Sequence, residues 1–281
     1  MSEENTVQKS KKPLLVLVGL VGLVAIGLLA ALLHKMPTNV LSGKDVEALT
    51  LKLNQLKLGV DISYFNQRLG EPKLKENKNI KVVSYKIQWH ATPKKKVRDV
   101  PYMEYFYSNP HFYVQAVANE AGIVEFYSIT VRSEQFQPKI ATGLTESLEL
   151  GKSVYQSLPK FPFKIAGRLA ETPKNAAYYE VYAIESKVQR LEVFSSNPNG
   201  FLKDLVPLDE KKEGFLTSKF SEETPFPITP VHDTFRKTTV INTYSAATAE
   251  FEGIDTSADG MNYEATKFTF GPRSDQLDKL Q

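Results

Sequence analysis

Residues 13–33, PLLVLVGLVGLVAIGLLAALL, run without a single charged or strongly polar side chain. No other stretch constrains the chain as much. Its twenty-one residues, wound into a helix, would rise roughly 31 Å, which matches the ~30 Å hydrocarbon core of a bilayer. Lys9, Lys11 and Lys12 stand just before the run, whereas only Lys35 and Lys44 follow it closely. Basic residues stay on the cytoplasmic side, so the N-terminus is expected in the cytoplasm and everything after residue 33 outside it. A cleaved signal peptide is the competing reading. Such signals have shorter apolar runs, ~7–15 residues, that end at a small-residue site. The end of this run, LLAALLH over 28–34, is a poor site, so an uncleaved single-pass anchor is predicted. Gly19, Gly22 and Gly27 are not spaced as the GxxxG association motif. The tail over residues 1–12 is expected to hold no folded output domain.

The formal charge of the chain is +3. Residues 1–35 carry Lys9, Lys11, Lys12 and Lys35 against Glu3 and Glu4, which leaves the remainder close to neutral. That balance offers no broad electrostatic footprint for nucleic acid, and none is expected to bind. Cysteine is absent, which excludes disulfides, thiolate metal sites, cysteine nucleophiles and a lipid-modified cysteine anchor. No Asn begins an Asn-X-Ser/Thr acceptor. An extracytoplasmic domain in a bacterial envelope, with the anchor in the inner membrane, fits these facts.

Beyond a linker at 34–44, Ser42 followed by Asp45 resembles a capping box, and Val46, Leu49, Leu53 and Leu56 lie at helical spacing. Gly59 closes this helix, Asp61 caps a second, and Ile62, Phe65 and Leu69 form its buried stripe before Gly70 and Pro72 stop it. Strands are predicted over Ile80–Trp89, Tyr102–Tyr107, His111–Ala118 and Ile123–Val131, the last two as a hairpin around 119–122. A diverged copy follows. Residues 148–162 parallel 56–70, with Leu148, Leu150 and Gly151 matching Leu56, Leu58 and Gly59, and 176–197 parallel 111–131. Residues 203–227 read as a polar connecting loop, and Thr238–Phe251 and Met261–Phe270 as two strands around Gly253–Gly260. The tail from Pro272 is expected to fray. The predicted fold is α+β: an N-terminal transmembrane helix, two helix-plus-antiparallel-sheet repeats over 45–140 and 141–203, and a C-terminal β extension within 204–281.

The Leu-X-Leu-Gly … Phe-X-X-X-Leu-Gly-X-Pro pattern at 56–72, followed by strands, resembles the small outer-membrane-assembly lipoproteins of the SmpA/OmlA type. It is similar also to β-lactamase-inhibitor-like repeats, in which two helices precede an antiparallel sheet. The second copy departs from the pattern, with Leu158-Pro159 and Phe161-Pro162 where Leu-Gly-X-Pro would stand. The whole layout looks like a family of membrane-anchored bacterial proteins, a likeness that implies no activity. Members of these groups are usually binding or assembly modules, so the resemblance implies recognition without catalysis.

Candidate chemistry is sparse. His34, His90, His111 and His232 lie far apart without HxH or HExxH spacing, and no metal or cofactor site is predicted. His232-Asp233 has no nucleophile elbow beside it. Gly151-Lys152-Ser153 lacks the phosphate-loop glycine, since Glu146 occupies that place. The pairs Asp209-Glu210 and Glu222-Glu223 sit in the polar loop and read as solvated. Residues 93–98, PKKKVR, read first as a solvated turn and second as a contact for anionic headgroups or an acidic partner. The run Tyr102, Tyr105, Phe106, Tyr107, Phe112 and Tyr113 reads first as sheet core and second as an exposed recognition surface. The candidate partner surface therefore comprises Trp89, Lys94, Lys95, Lys96, Arg98, Tyr102, Tyr105 and Tyr107. The expected function is that of a membrane-anchored, non-enzymatic binding or assembly protein with an envelope protein as partner. An accessory or sensor subunit of a membrane complex is the alternative, followed by an envelope hydrolase built on His232, His90 or buried carboxylates.

Overall fold

The computed structural model describes residues 41–86, 94–159, 163–172, 175–184, 190–202, 236–249, 251 and 269–280. The apolar run 13–33 lies outside these residues, as do the whole loop at 203–227 and the segment 252–268. No helix among the described residues is long and apolar enough to cross a membrane.

The structure is α+β, with one large antiparallel sheet and few helices. Two helices open it. Helix α1 (Gly43–Asn54) starts where the capping box predicts: Ser42 Oγ accepts from the Asp45 amide at 3.2 Å, and Asp45 accepts from the Ser42 amide at 3.2 Å. Leu53 and Leu56 are buried, with Val46 and Leu49 packed at their edge. Helix α2 (Ile62–Leu69) is capped by Asp61, which accepts from the Ser63 amide at 2.8 Å. Phe65 is its wholly buried side chain, wedged between the rings of Tyr107 and Tyr127.

The sheet has eight strands in the order β1-β2-β3-β4-β10-β9-β8-β7. Strands β1 (Leu74–Lys86), β2 (Lys94–Asn109), β3 (Phe112–Ala118) and β4 (Val124–Val131) form one meander. After a two-stranded ribbon of β5 (Lys139–Ile140) and β6 (Leu148–Glu149), β7 (Phe163–Thr172), β8 (Asn175–Ile184), β9 (Arg190–Ser196) and β10 (Thr243–Thr248) form another. The meanders join where β10 pairs with β4, from Thr243↔Thr130 to Ala247↔Phe126. This corrects the expected layout. The strand assigned to a C-terminal extension runs down the middle of the sheet, hydrogen-bonded on both sides.

Two stretches make matching contacts to these central strands. The Gly59 amide donates to Val124 O at 2.9 Å, and the Gly151 amide to Ile241 O at 2.8 Å. Both glycines have left-handed backbones, φ 73° and 83°, which a side chain would resist. The bridges that follow, Asp61↔Ile123 and Val154↔Val240, also correspond. Where the first stretch continues as α2, the second has only a single 3-10 turn, Tyr155–Ser157. Pro159, which lacks an amide hydrogen and restricts its predecessor, ends that turn.

Both faces of the sheet are covered. On the helical side Phe65, Leu53 and Leu56 pack with Val114, Ile129, Phe194 and Tyr244. On the other side Phe126, Val193, Phe251 and Phe270 pack together, and Leu280 seals Phe106 and Tyr113. The C-terminal segment thus docks where fraying was expected. Gln276 and Leu280, on a 3-10 turn leading into α3 (Leu277–Leu280), are both buried. Asn197 Nδ2 donates to Phe270 O at 2.7 Å, and Gln276 Nε2 to Glu76 at 2.8 Å.

Candidate functional site: a basic two-stranded arm

β1 and β2 pair over thirteen positions, from Leu74↔Phe106 to Lys86↔Lys94. β3 covers β2 only from Met103 to Asn109. The pairs from Lys78↔Tyr102 to Lys86↔Lys94 therefore extend past β3 as a two-stranded arm, ~27 Å long at ~3.4 Å per residue.

Its base is anchored. Ile80 and Tyr102 are buried, Val100 packs beside them, and the Tyr102 ring meets that of Phe251 edge-on at 5.4 Å. The Tyr102 hydroxyl donates to Glu125 at 3.2 Å, and Glu125 also accepts from Asn119 at 2.7 Å. Burial holds the Tyr102 hydroxyl above the usual phenol range, and the neighbouring Glu125 charge adds to this.

Beyond the base, charge accumulates. Residues 81–98 contain Lys81, Lys86, Lys94, Lys95, Lys96 and Arg98, and the arm's one carboxylate is the next residue, Asp99, opposite Lys81. The register brings cations distant in sequence together. Lys86 stands opposite Lys94, Tyr85 opposite Lys95, Ser84 opposite Lys96, and Val82 opposite Arg98, which is exposed. Like charges directly across a strand pair destabilise it, so the Lys86↔Lys94 position works against the pairing, whereas Lys81 stands opposite Asp99.

The expected site residues thus divide. Lys94, Lys95, Lys96 and Arg98 fall together on the arm, whereas Trp89 lies outside the described residues. Tyr102 and Tyr107 are corrections to the exposed-surface reading: both are buried, on opposite faces of the sheet. Alternation along β2 is the reason. Tyr102, Glu104 and Phe106 share one covered face while Tyr105 and Tyr107 share the other. Tyr107 donates to Asn66 at 2.8 Å, and burial raises its hydroxyl pKa. Tyr105 is half-buried, with the Lys75 ammonium 5.9 Å from its ring. Lys81 and Lys86 were missed, although the absence of any carboxylate over 81–98 would have shown them.

Elsewhere among the described residues, the buried glutamates Glu104, Glu180 and Glu192 are each held by protein partners. Glu180 on β8 accepts from Arg236 at 3.0 and 3.1 Å, from Tyr178 at 2.8 Å and from Tyr182 at 2.7 Å. Arg236 also donates to Tyr155 O and Leu158 O, which ties the 3-10 turn down. Burial raises the Glu180 carboxyl above its ordinary value, against the pull of Arg236 and the two tyrosines. Burial would lower Arg236, but the Glu180 charge beside it outweighs that and raises it. Glu192 accepts from the Gly143 amide, Arg190 and Tyr244. Glu104 is held by Gln115 and Lys78, with Arg273 at 3.6 Å. His111 is depressed by burial. His34, His90 and His232 lie outside the described residues, among which no group of three His, Asp or Glu is placed to hold a metal.

No protein-family model, curated protein or solved structure matches the chain.

Proposed function

We propose that this chain is a single-pass, membrane-anchored binding or assembly protein of the bacterial envelope, with its N-terminus cytoplasmic and its sheet domain outside. The observation that carries this reading is the uncharged run 13–33 with three lysines just before it. Tethering confines the domain close to the membrane and raises its effective concentration toward a partner there, so modest affinity suffices. The buried carboxylates, each closed by arginine, tyrosine or amide donors, support an architectural role for those groups. The arm is the segment whose charge and projection suit recognition.

The resemblance to tandem repeats belongs to the same proposal. The matched glycines, matched bridges and two meanders joined at β4 and β10 support an ancestral duplication. Its second copy would have lost its helix to a 3-10 turn and recovered its fourth strand from far along the chain.

The deciding experiment is a topology assay on the full chain in a bacterial host. Alkaline phosphatase fused after Gln281 is expected to be active, and the chain is expected to stay with the membranes after alkaline carbonate extraction. An inactive fusion, or release by carbonate, would overturn the anchor.

A further inference from the structure

We propose that the β1–β2 arm binds the anionic surface of the membrane in which the chain is anchored, and so orients the sheet domain against it. This rests on the anchored reading above. Two observations carry it. First, the arm holds Lys78, Lys81, Lys86, Lys94, Lys95, Lys96 and Arg98 against a single carboxylate, Asp99 opposite Lys81, whereas the whole chain carries a net charge of only +3. Second, the pairing of β1 with β2 gathers those cations on one projecting element and sets Lys86 opposite Lys94. Such a like-charge pair is relieved when anions approach it.

Headgroup attraction fades within about 8 Å in physiological salt, so an arm that reaches the surface feels a field that the body of the domain does not. Each cation brought to an anionic leaflet strengthens binding about fivefold. A solvated turn would need no such concentration of one sign.

The absence of cysteine makes the test clean, because a single Ala91→Cys substitution provides the only thiol. The full chain, labelled there with a fluorophore, is reconstituted into vesicles of phosphatidylcholine alone or with phosphatidylglycerol, each containing nitroxide-labelled lipid. Quenching is expected in the anionic vesicles and not in the neutral ones. It should disappear in ~1 M salt, where screening shortens to about 3 Å. It should also disappear when Lys94, Lys95 and Lys96 are together changed to Glu. Equal quenching in both vesicle types, or quenching indifferent to that charge reversal, overturns the proposal. So does crosslinking of the arm to an acidic protein without any response to lipid charge. Carbonate extraction of the same vesicles separates the two readings. A chain that is extracted refutes the anchor. If that extracted chain still sediments with anionic but not neutral vesicles, and loses more than about tenfold in affinity on charge reversal, the arm stands by itself.

Discussion

The two outer hairpins are built to one plan but differ where it matters. β1 and β2 run nine pairs past their neighbour, from Lys78↔Tyr102 to Lys86↔Lys94. β7 and β8 pass β9 only at Leu169↔Ala177, Ala170↔Ala176 and Thr172↔Asn175. The first overhang sets seven cations against Asp99 alone, whereas residues 163–184 mix Lys164, Arg168 and Lys174 with Glu171 and Glu180. A hairpin that ends with its sheet serves the core. One that outruns its sheet and carries a large excess of one sign of charge gains little from the fold, so its composition answers to something outside. Their second strands share a further feature: each bears a fully buried glutamate, Glu104 or Glu180, met by an arginine from late in the chain, Arg273 or Arg236.

The sharpest way to break this comparison is at the arginines. Arg236→Met leaves Glu180 buried without its cation and should destabilise the domain by about 3–5 kcal/mol. Adding Glu180→Gln should recover part of that loss, as read from urea unfolding. Arg273→Met should cost clearly less, because Glu104 keeps Gln115 and Lys78. Equal costs would contradict the asymmetry of the two sites.

The helical cover provides the next contrast. Phe65→Ala should cost roughly 3–5 kcal/mol and Leu158→Ala somewhat less, since a whole aromatic ring is lost in the first case. Both residues are buried. Thermal unfolding measures both, and a larger loss at Leu158 would place more of the core under the 3-10 turn than its size allows.

Docking of the C-terminal segment is testable at Gly271. Its φ is 95°, and an added Cβ would lie 2.3 Å from Thr130 Oγ1. Gly271→Ala should lift the segment, with faster hydrogen exchange over 272–280 and a cost of about 1–3 kcal/mol. Acid should loosen the same contact. Burial alone would raise Glu76, but hydrogen bonds from Gln276 and Lys279 and the Arg273 charge hold it below 4.5. Its contribution is complete above that ordinary value and is lost as pH falls through the lower folded value. Glu180, raised by burial, has the opposite sign: its contribution is full below 4.5 and declines as pH rises through the folded value. Protection over 272–280 that rises on acidification, once the intrinsic pH dependence of amide exchange is divided out, would contradict the Glu76 assignment.

The smallest expected effect is the most telling for the arm. Lys94→Glu replaces a like-charge pair opposite Lys86 with an opposite one, and should leave stability unchanged or raise it by about 0.2–1 kcal/mol. A clear loss of stability would mean that Lys94 serves the fold.

The sequence alone determined the elements whose causes are local. Ser42 with Asp45, Asp61 and the leucine stripe specify α1 and α2 within a few residues, because capping and helical periodicity act over one or two turns. The hairpin of β3 and β4 follows from alternation around a polar turn for the same reason. The sequence also carried the charge of the arm, although only the β1–β2 register joined Lys81 and Lys86 to Lys94–Lys96. What the tertiary structure decided is non-local. β10 takes its partners from strands about 50 and about 115 residues earlier, as in Thr243↔Ser195 and Thr243↔Thr130. Nothing in TYSAAT announces a central strand. The pairing of Arg236 with Glu180 and the docking of Leu280 on Phe106 and Tyr113 are likewise invisible in their neighbourhoods. The physical reason is common to all three: their stability comes from groups brought near only after the rest of the sheet has formed.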